Sequence, residues 1–230
     1  MHHDVLRRKQ VQQAQRVADI CRKAADAYRS GRVTREQFVA AIAAAQGVSH
    51  REAVKLSLRY VRELREAEAP DEVGLVDYPR FDAELSAKRA DEVAELIDNS
   101  QSTEGFDKVV ASLLTDVTKS SLNAGRATVI MSAEAAKVRW RRVSDGSPCP
   151  FCAMLVSAGP TYGSKESARG KFHDHCGCGV AEVRGPWRPS ANERRYADWY
   201  NEAADNIRKR GEAIGTSNVT AEMRRIALKR

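Results

Sequence analysis

The sequence predicts a mainly α-helical protein: a helical region over residues 1–136, a small β-hairpin over 137–185 and a basic helical segment over 186–230. Three features carry that expectation. Apolar side chains recur at steps of three and four as far as Ala135, which marks helices with one buried stripe. Signals of the form Ser/Thr-x-x-Glu/Gln stand at the start of several stripes. From Lys137 the period drops to two, around a cluster of turn residues.

The first stripe is Val11, Ala14, Val17, Ala18, Cys21, Ala25 and Tyr28, and Gly31 ends it. Cys21 falls on that face, where a thiol behaves as a small apolar group. Thr34-Arg-Glu-Gln37 opens a second helix through Phe38, Val39 and Ile42, with Gly47 as its stop. Ser49-His-Arg-Glu52 reads as another capping box, opening a third helix through Val54, Val61 and Leu64 and leaving His50 on the surface. Pro70 to Pro79 is a connector. A fourth helix covers 82–99, with Leu85, Ala90, Val93, Ala94 and Ile97 inward. Ser102 or Thr103 caps the longest helix, whose stripe is Phe106, Val109, Val110, Leu113, Leu114 and Val117 and which extends to about Ala135. No proline falls inside these segments.

Val138, Trp140 and Arg142 alternate with other charged residues, as on a half-buried strand. Asp145-Gly146 and Ser147-Pro148 are turn signals, and Gly179 to Val183 reads as the returning strand. A two-stranded hairpin is marginal alone in water, so it needs a staple or a helix to lean on. Ser190-Ala-Asn-Glu193 caps a further helix whose face is Tyr196, Trp199, Tyr200, Ala203 and Ile207, an aromatic stripe that reads as core packing. Residues 211–217 form a linker, and the end of the chain is a short basic helix or a frayed tail.

The chain has 230 residues, enough for one sizeable core or two small ones. No run approaches the roughly 18–20 apolar residues of a membrane span, and Met1 to Gln10 is polar and basic, unlike a secretory signal. The net charge is +7, with Arg208, Lys209, Arg210, Arg224, Arg225, Lys229 and Arg230 near the end. A basic balance favours contact with nucleic acid or an acidic protein surface. Five cysteines without a signal peptide argue against a secreted disulfide framework.

Four of those cysteines sit beside histidines: Cys149-Pro-Phe-Cys152, then His173-Asp-His175-Cys176-Gly-Cys178. A C-x-x-C turn lets two thiolates converge, and zinc takes four such ligands in a tetrahedron. Cys149, Cys152, His173 and Cys176 form the expected set; Cys178 in place of His173 is the alternative, and His175 is a further spare. The surplus of soft ligands points to a closed, structural Zn²⁺ site that staples the hairpin, because a catalytic zinc keeps one position open. No H-E-x-x-H occurs, and no H-x-E element precedes Pro148-Cys149 as a zinc deaminase requires. A thiolate committed to zinc is not available as a nucleophile, which argues against pairing Cys149 or Cys152 with His175 for catalysis.

Trp140-Arg-Arg-Val143, Ser147-Pro-Cys-Pro-Phe-Cys-Ala-Met-Leu155, Gly159-Pro-Thr-Tyr162 and Phe172-His-Asp-His-Cys-Gly-Cys178 together resemble the MuF-like minor head proteins of tailed phages, in the version found in phages of actinobacteria. The match covers roughly 137–183, where the family's C-x-x-C and H-x-x-C-x-C pattern falls on Cys149, Cys152, His173, Cys176 and Cys178. The resemblance implies a head morphogenesis protein of few copies, placed at the portal vertex inside the capsid after assembly in the host cytoplasm. It implies the portal protein as partner, with scaffold or major capsid protein as further candidates and packaged DNA as a nonspecific neighbour. Some relatives carry a capsid maturation protease, which would make this chain an enzyme. The region before Lys137 shows no Ser/His/Asp set for one, having only His50 besides His2 and His3. A zinc-dependent DNA-binding regulator is the other alternative, and no helix-turn-helix signature supports it.

Overall fold

The computed structural model describes residues 2–74, 76–144, 146–161, 172 and 176–229. It is mainly helical, with one small antiparallel sheet. The chain divides into two compact units, Met1–Ser132 with Lys171–Cys176, and Ala133–Gly170 with Gly177–Arg230.

The first unit is helical. Helix α1 (His3–Arg29) begins eight residues before the expected Val11, because Leu6 and Gln10 extend its buried face toward the N-terminus. Gln10 hides that continuity in the sequence; its amide is buried because it donates to Ser57 Oγ at 2.8 Å. Helix α2 (Arg35–Glu68) starts at the Thr34–Gln37 capping box as expected. It does not stop at Gly47. Residues expected to form two helices form one, for two physical reasons. A Cβ at Gly47 would lie 3.0 Å from the Phe81 ring, so the glycine gives room for a neighbour and does not end the helix. Ser49 is buried mid-helix, its hydroxyl 2.7 Å from Ser121 Oγ and its carbonyl accepting from Gln13 at 2.7 Å, so it serves packing and not capping. His50 is correspondingly half-buried, its Nε2 2.9 Å from the Pro79 carbonyl, and not on the open surface.

A 3₁₀ turn (Pro70–Glu72) follows α2, and Asp82 caps α3 (Ala83–Asp98) by accepting from the Leu85 amide at 2.9 Å. Leu85 itself points to solvent, 42 % exposed; Ser86 takes the inward place and bonds Gln46 at 2.6 Å. Ser102, and not Thr103, caps α4 (Thr103–Ala135) through the Gly105 amide at 3.0 Å. The core joins Val17, Cys21 and Ala25 of α1, Phe38 and Ile42 of α2, Ala90, Ala94 and Ile97 of α3, and Phe106, Val110, Leu113 and Val117 of α4. Burial pushes the Cys21 thiol up to about 12, as befits an inert packing group.

The second unit starts at Ala133, in the last turn of α4. Lys137 adopts φ +56, and the amides of Lys137 and Val138 return to the carbonyls of Glu134 and Ala133 at 3.0 and 2.9 Å. That left-handed cap stops the helix and releases the chain into β1 (Arg139–Val143). β1 pairs antiparallel with β2 (Gly179–Val183), Trp140 opposite Glu182 and Val143 opposite Gly179. Trp140 and Arg142 share one face and are both buried; Arg141, on the other face, pairs with Glu193. Between the strands lies α5 (Pro150–Ser157), where the sequence suggested only a turn. Helix α6 (Ala191–Lys209) carries the expected Ser190–Glu193 capping box. The end of the chain is not frayed: α7 (Thr216–Leu228) buries Val219, Met223 and Ile226 against α5 and α6. Tyr196, Ala203 and Ile207 of α6 and Ala153 and Val156 of α5 complete that core.

Candidate metal centre

Local chain chemistry positions the first two sulfurs. Cys149 is the N-cap of α5, with Pro150 at the first helical position, where its missing N–H costs nothing. The Cys149 sulfur accepts from the Cys152 amide at 3.5 Å. Cys152 lies one turn along, on the helix face that also carries Ala153 and Val156 into the core with α6 and α7. Burial of that face fixes the rotation of α5 and therefore the direction of the Cys152 thiol. Cys178 immediately precedes β2, so the register with β1 sets its place. Cys176 is tied to Cys178 through Gly177 alone.

The sulfurs of Cys152, Cys176 and Cys178 lie within 4.8 Å of one another, and all three residues are at most 4 % exposed. A tetrahedral ion with metal–sulfur bonds of about 2.3 Å holds its sulfurs about 3.8 Å apart, a separation within the 4.8 Å span of this cluster. Among the described residues, which include all five cysteines, no disulfide forms. Buried, convergent thiols of this kind could hold a metal ion, and they leave one position of a tetrahedron to a fourth donor.

Of the expected set, Cys152 and Cys176 are in this cluster, and Cys178, the alternative ligand, completes it. Cys149 is exposed and outside the three-sulfur group, one helical turn from Cys152. His173 and His175 lie outside the described residues. His2, His3 and Asp4 make a second, open grouping at the start of α1, a kind common without any ion.

One neighbouring residue escaped the sequence reading. Arg126 of α4 is buried at 4 % exposure. Its guanidinium donates to the Cys176 carbonyl and, at 2.9 Å, to Asn123 Oδ1, and its Cζ lies 4.1 Å from the centre of the Phe172 ring. The available signal was an arginine flanked by apolar positions, Ala124, Val129 and Ile130, that are themselves buried.

No helix among the described residues is long and apolar enough to cross a membrane. Comparison with curated proteins and with solved structures gives no match. A family model described as VG15 protein matches residues 2–205, which takes in both strands, all four candidate cysteines between and beside them, and most of α6. On that match the chain belongs to the VG15 family, a family of phage proteins.

Proposed function

We propose that this chain is a MuF-like minor head protein of a tailed phage, of the actinobacteriophage type, acting structurally at the portal vertex inside the capsid. The observation that carries the reading is the cysteine segment. Residues 140–178 hold the motif run that resembles the minor head family, three of its thiols converge in a buried cluster, and the chain is a member of a phage family. The ion is Zn²⁺, because three soft thiolates in a buried site suit zinc better than hard cations. Bound zinc supplies folding free energy, of the order of 10–16 kcal/mol in small structural sites. The chain's own contribution is to converge Cys152, Cys176 and Cys178, with Cys149, His173 or His175 as fourth donor. The role is assembly and not catalysis.

The partners in this reading are the portal protein, then scaffold or major capsid protein, and packaged DNA. The net charge of +7 falls in the second unit, where Arg188, Arg194, Arg195, Arg224 and Lys229 are exposed. A basic face of that kind suits phosphate contacts that are salt-sensitive and indifferent to sequence. Quantitative mass spectrometry of virions, procapsids and DNA-emptied heads from the source phage tests the placement. A few copies per particle in the head fraction is the expected result. Absence from every particle would overturn the reading and turn attention to an assembly enzyme or an intracellular DNA-binding protein.

A further inference from the structure

We propose that Arg126 is the positioning residue of the metal centre: one guanidinium holds both ends of the segment from Phe172 to Cys176 and so presents the Cys176 thiol to the ion. The inference rests on the metal reading above. Arg126, Phe172 and Cys176 belong to the same helical unit, so the clamp is internal to it.

The geometry has two independent parts. The guanidinium donates to the carbonyl of Cys176, which fixes the orientation of that peptide and with it the Cα–Cβ direction that aims the sulfur. The same planar group lies over the face of Phe172, 4.1 Å from the ring centre, so the ring holds the guanidinium plane in register. The bond to Asn123, one turn earlier on α4, steadies the donor itself. Arginine is suited to this and lysine is not: only a flat, multi-donor group stacks on a ring and bonds a carbonyl at once. Donors that orient a ligand in this way commonly change metal affinity by about 10–100-fold when removed.

The test uses the full chain, loaded with Co²⁺ as a spectroscopic probe and with Zn²⁺ in competition against a chelator. Arg126→Met is expected to keep its helical circular dichroism, to lose about 10–100-fold in affinity, and to show altered cobalt–thiolate charge-transfer and ligand-field bands. Arg126→Lys is expected to recover only part of the affinity, and Phe172→Leu to fall between wild type and Arg126→Met. Leu113→Ala, a core deletion in the same unit and away from the clamp, serves as the control for general destabilisation. It is expected to lower the melting temperature without changing the cobalt spectrum. Wild-type affinity and spectrum in Arg126→Met, or an equal loss in Leu113→Ala, would overturn the assignment. No cobalt binding by the wild type would overturn it together with the metal reading, while the particle assay would still report on the head-protein role by itself.

Discussion

The guanidinium of Arg65, fully buried near the end of α2, donates to the main-chain carbonyl of Ser132 at 2.6 Å, near the end of α4. The same side chain donates to the carbonyl of Glu72 at 2.9 Å, and Ser132 in turn brackets Asp77, accepting from its amide at 3.3 Å and donating to its carbonyl at 3.0 Å. One cation thus gathers the exit of α2, the connector and the exit of α4. Arg65→Met is expected to lower the unfolding free energy by about 2–4 kcal/mol, because two carbonyls lose a charged donor in a dry site. Urea unfolding of the variant checks this; a loss below about 0.5 kcal/mol would match a surface substitution and dismiss the role.

Removing the metal is expected to melt the second unit's hairpin before the helices of the first unit. Cys152→Ser, Cys176→Ser and Cys178→Ser should each cut Zn²⁺ affinity by at least about 100-fold, since each removes a converging sulfur. Cys149→Ser is expected to follow them, its sulfur standing one turn from Cys152. Retention of wild-type affinity in Cys149→Ser would instead give the fourth position to a histidine. Isothermal titration with Zn²⁺ and thermal melts with and without chelator separate these outcomes.

Gly159 adopts φ +63, and a Cβ there would meet the Trp187 ring at 2.8 Å. Gly185 has a similar φ of +64 with open space around it. Gly159→Ala should therefore cost about 2–4 kcal/mol, combining backbone strain with overpacking, and Gly185→Ala only about 1–2 kcal/mol from strain alone. Equal losses in thermal or urea unfolding would show that the indole does not crowd the glycine.

Burial holds the Cys21 thiol at about 12, against about 9 for an ordinary thiol. The folded state therefore keeps its proton over a range in which the unfolded chain gives it up. Stability from this group is fully present below about pH 9 and declines as pH rises from there to about 12, at close to 1.4 kcal/mol per pH unit. Cys21→Ala should flatten that part of the profile, although it lowers stability at neutral pH. Native Cys21 should also resist alkylation until the chain unfolds; rapid labelling of folded protein at pH 8 would contradict its burial.

Deleting the last basic residues is a poor test of DNA contact, because Ile226 is part of the α5–α6–α7 core. Arg224→Gln with Lys229→Gln leaves that core in place, since both side chains are exposed. The pair is expected to weaken nonspecific duplex binding and to reduce the slope of log affinity against log salt by up to about two. An unchanged slope would show that α7 does not touch phosphate.

Most of the architecture was legible because burial leaves a periodic trace. The stripes of Phe106 to Val117 and Tyr196 to Ile207, the caps at Thr34 and Ser190, and the strand Gly179–Val183 all stand where the pattern put them. The failures share one cause: polar or small residues that serve tertiary contacts look like punctuation. Gly47 and Ser49 read as a stop and a cap, yet they meet Phe81 and Ser121 of neighbouring segments. Helix α5 went unread because its cap is a cysteine, a residue normally scanned for metal and not for capping. Within the site, spacing singled out the cysteines and histidines as candidates, and three of the cysteines converge. It could not show which thiols converge, because that depends on the rotation of α5 and the register of β2. Arg126 left no motif at all.

The pairing of Val143 with Gly179 also sets an order of events during synthesis. Strand β1 leaves the ribosome before β2, and the two strands cannot zip until the chain has been extended through Val183. Cys152 is in the same position, since Cys176 and Cys178 reach the exit tunnel only just before β2 does. The helices of the first unit can consolidate from local contacts in the meantime, which form fast. A metal bound by these sulfurs could therefore be closed in only after Cys176 and Cys178 have been made, and a nascent chain stalled before Cys176 would present Cys149 and Cys152 to whatever chaperone or oxidant it meets.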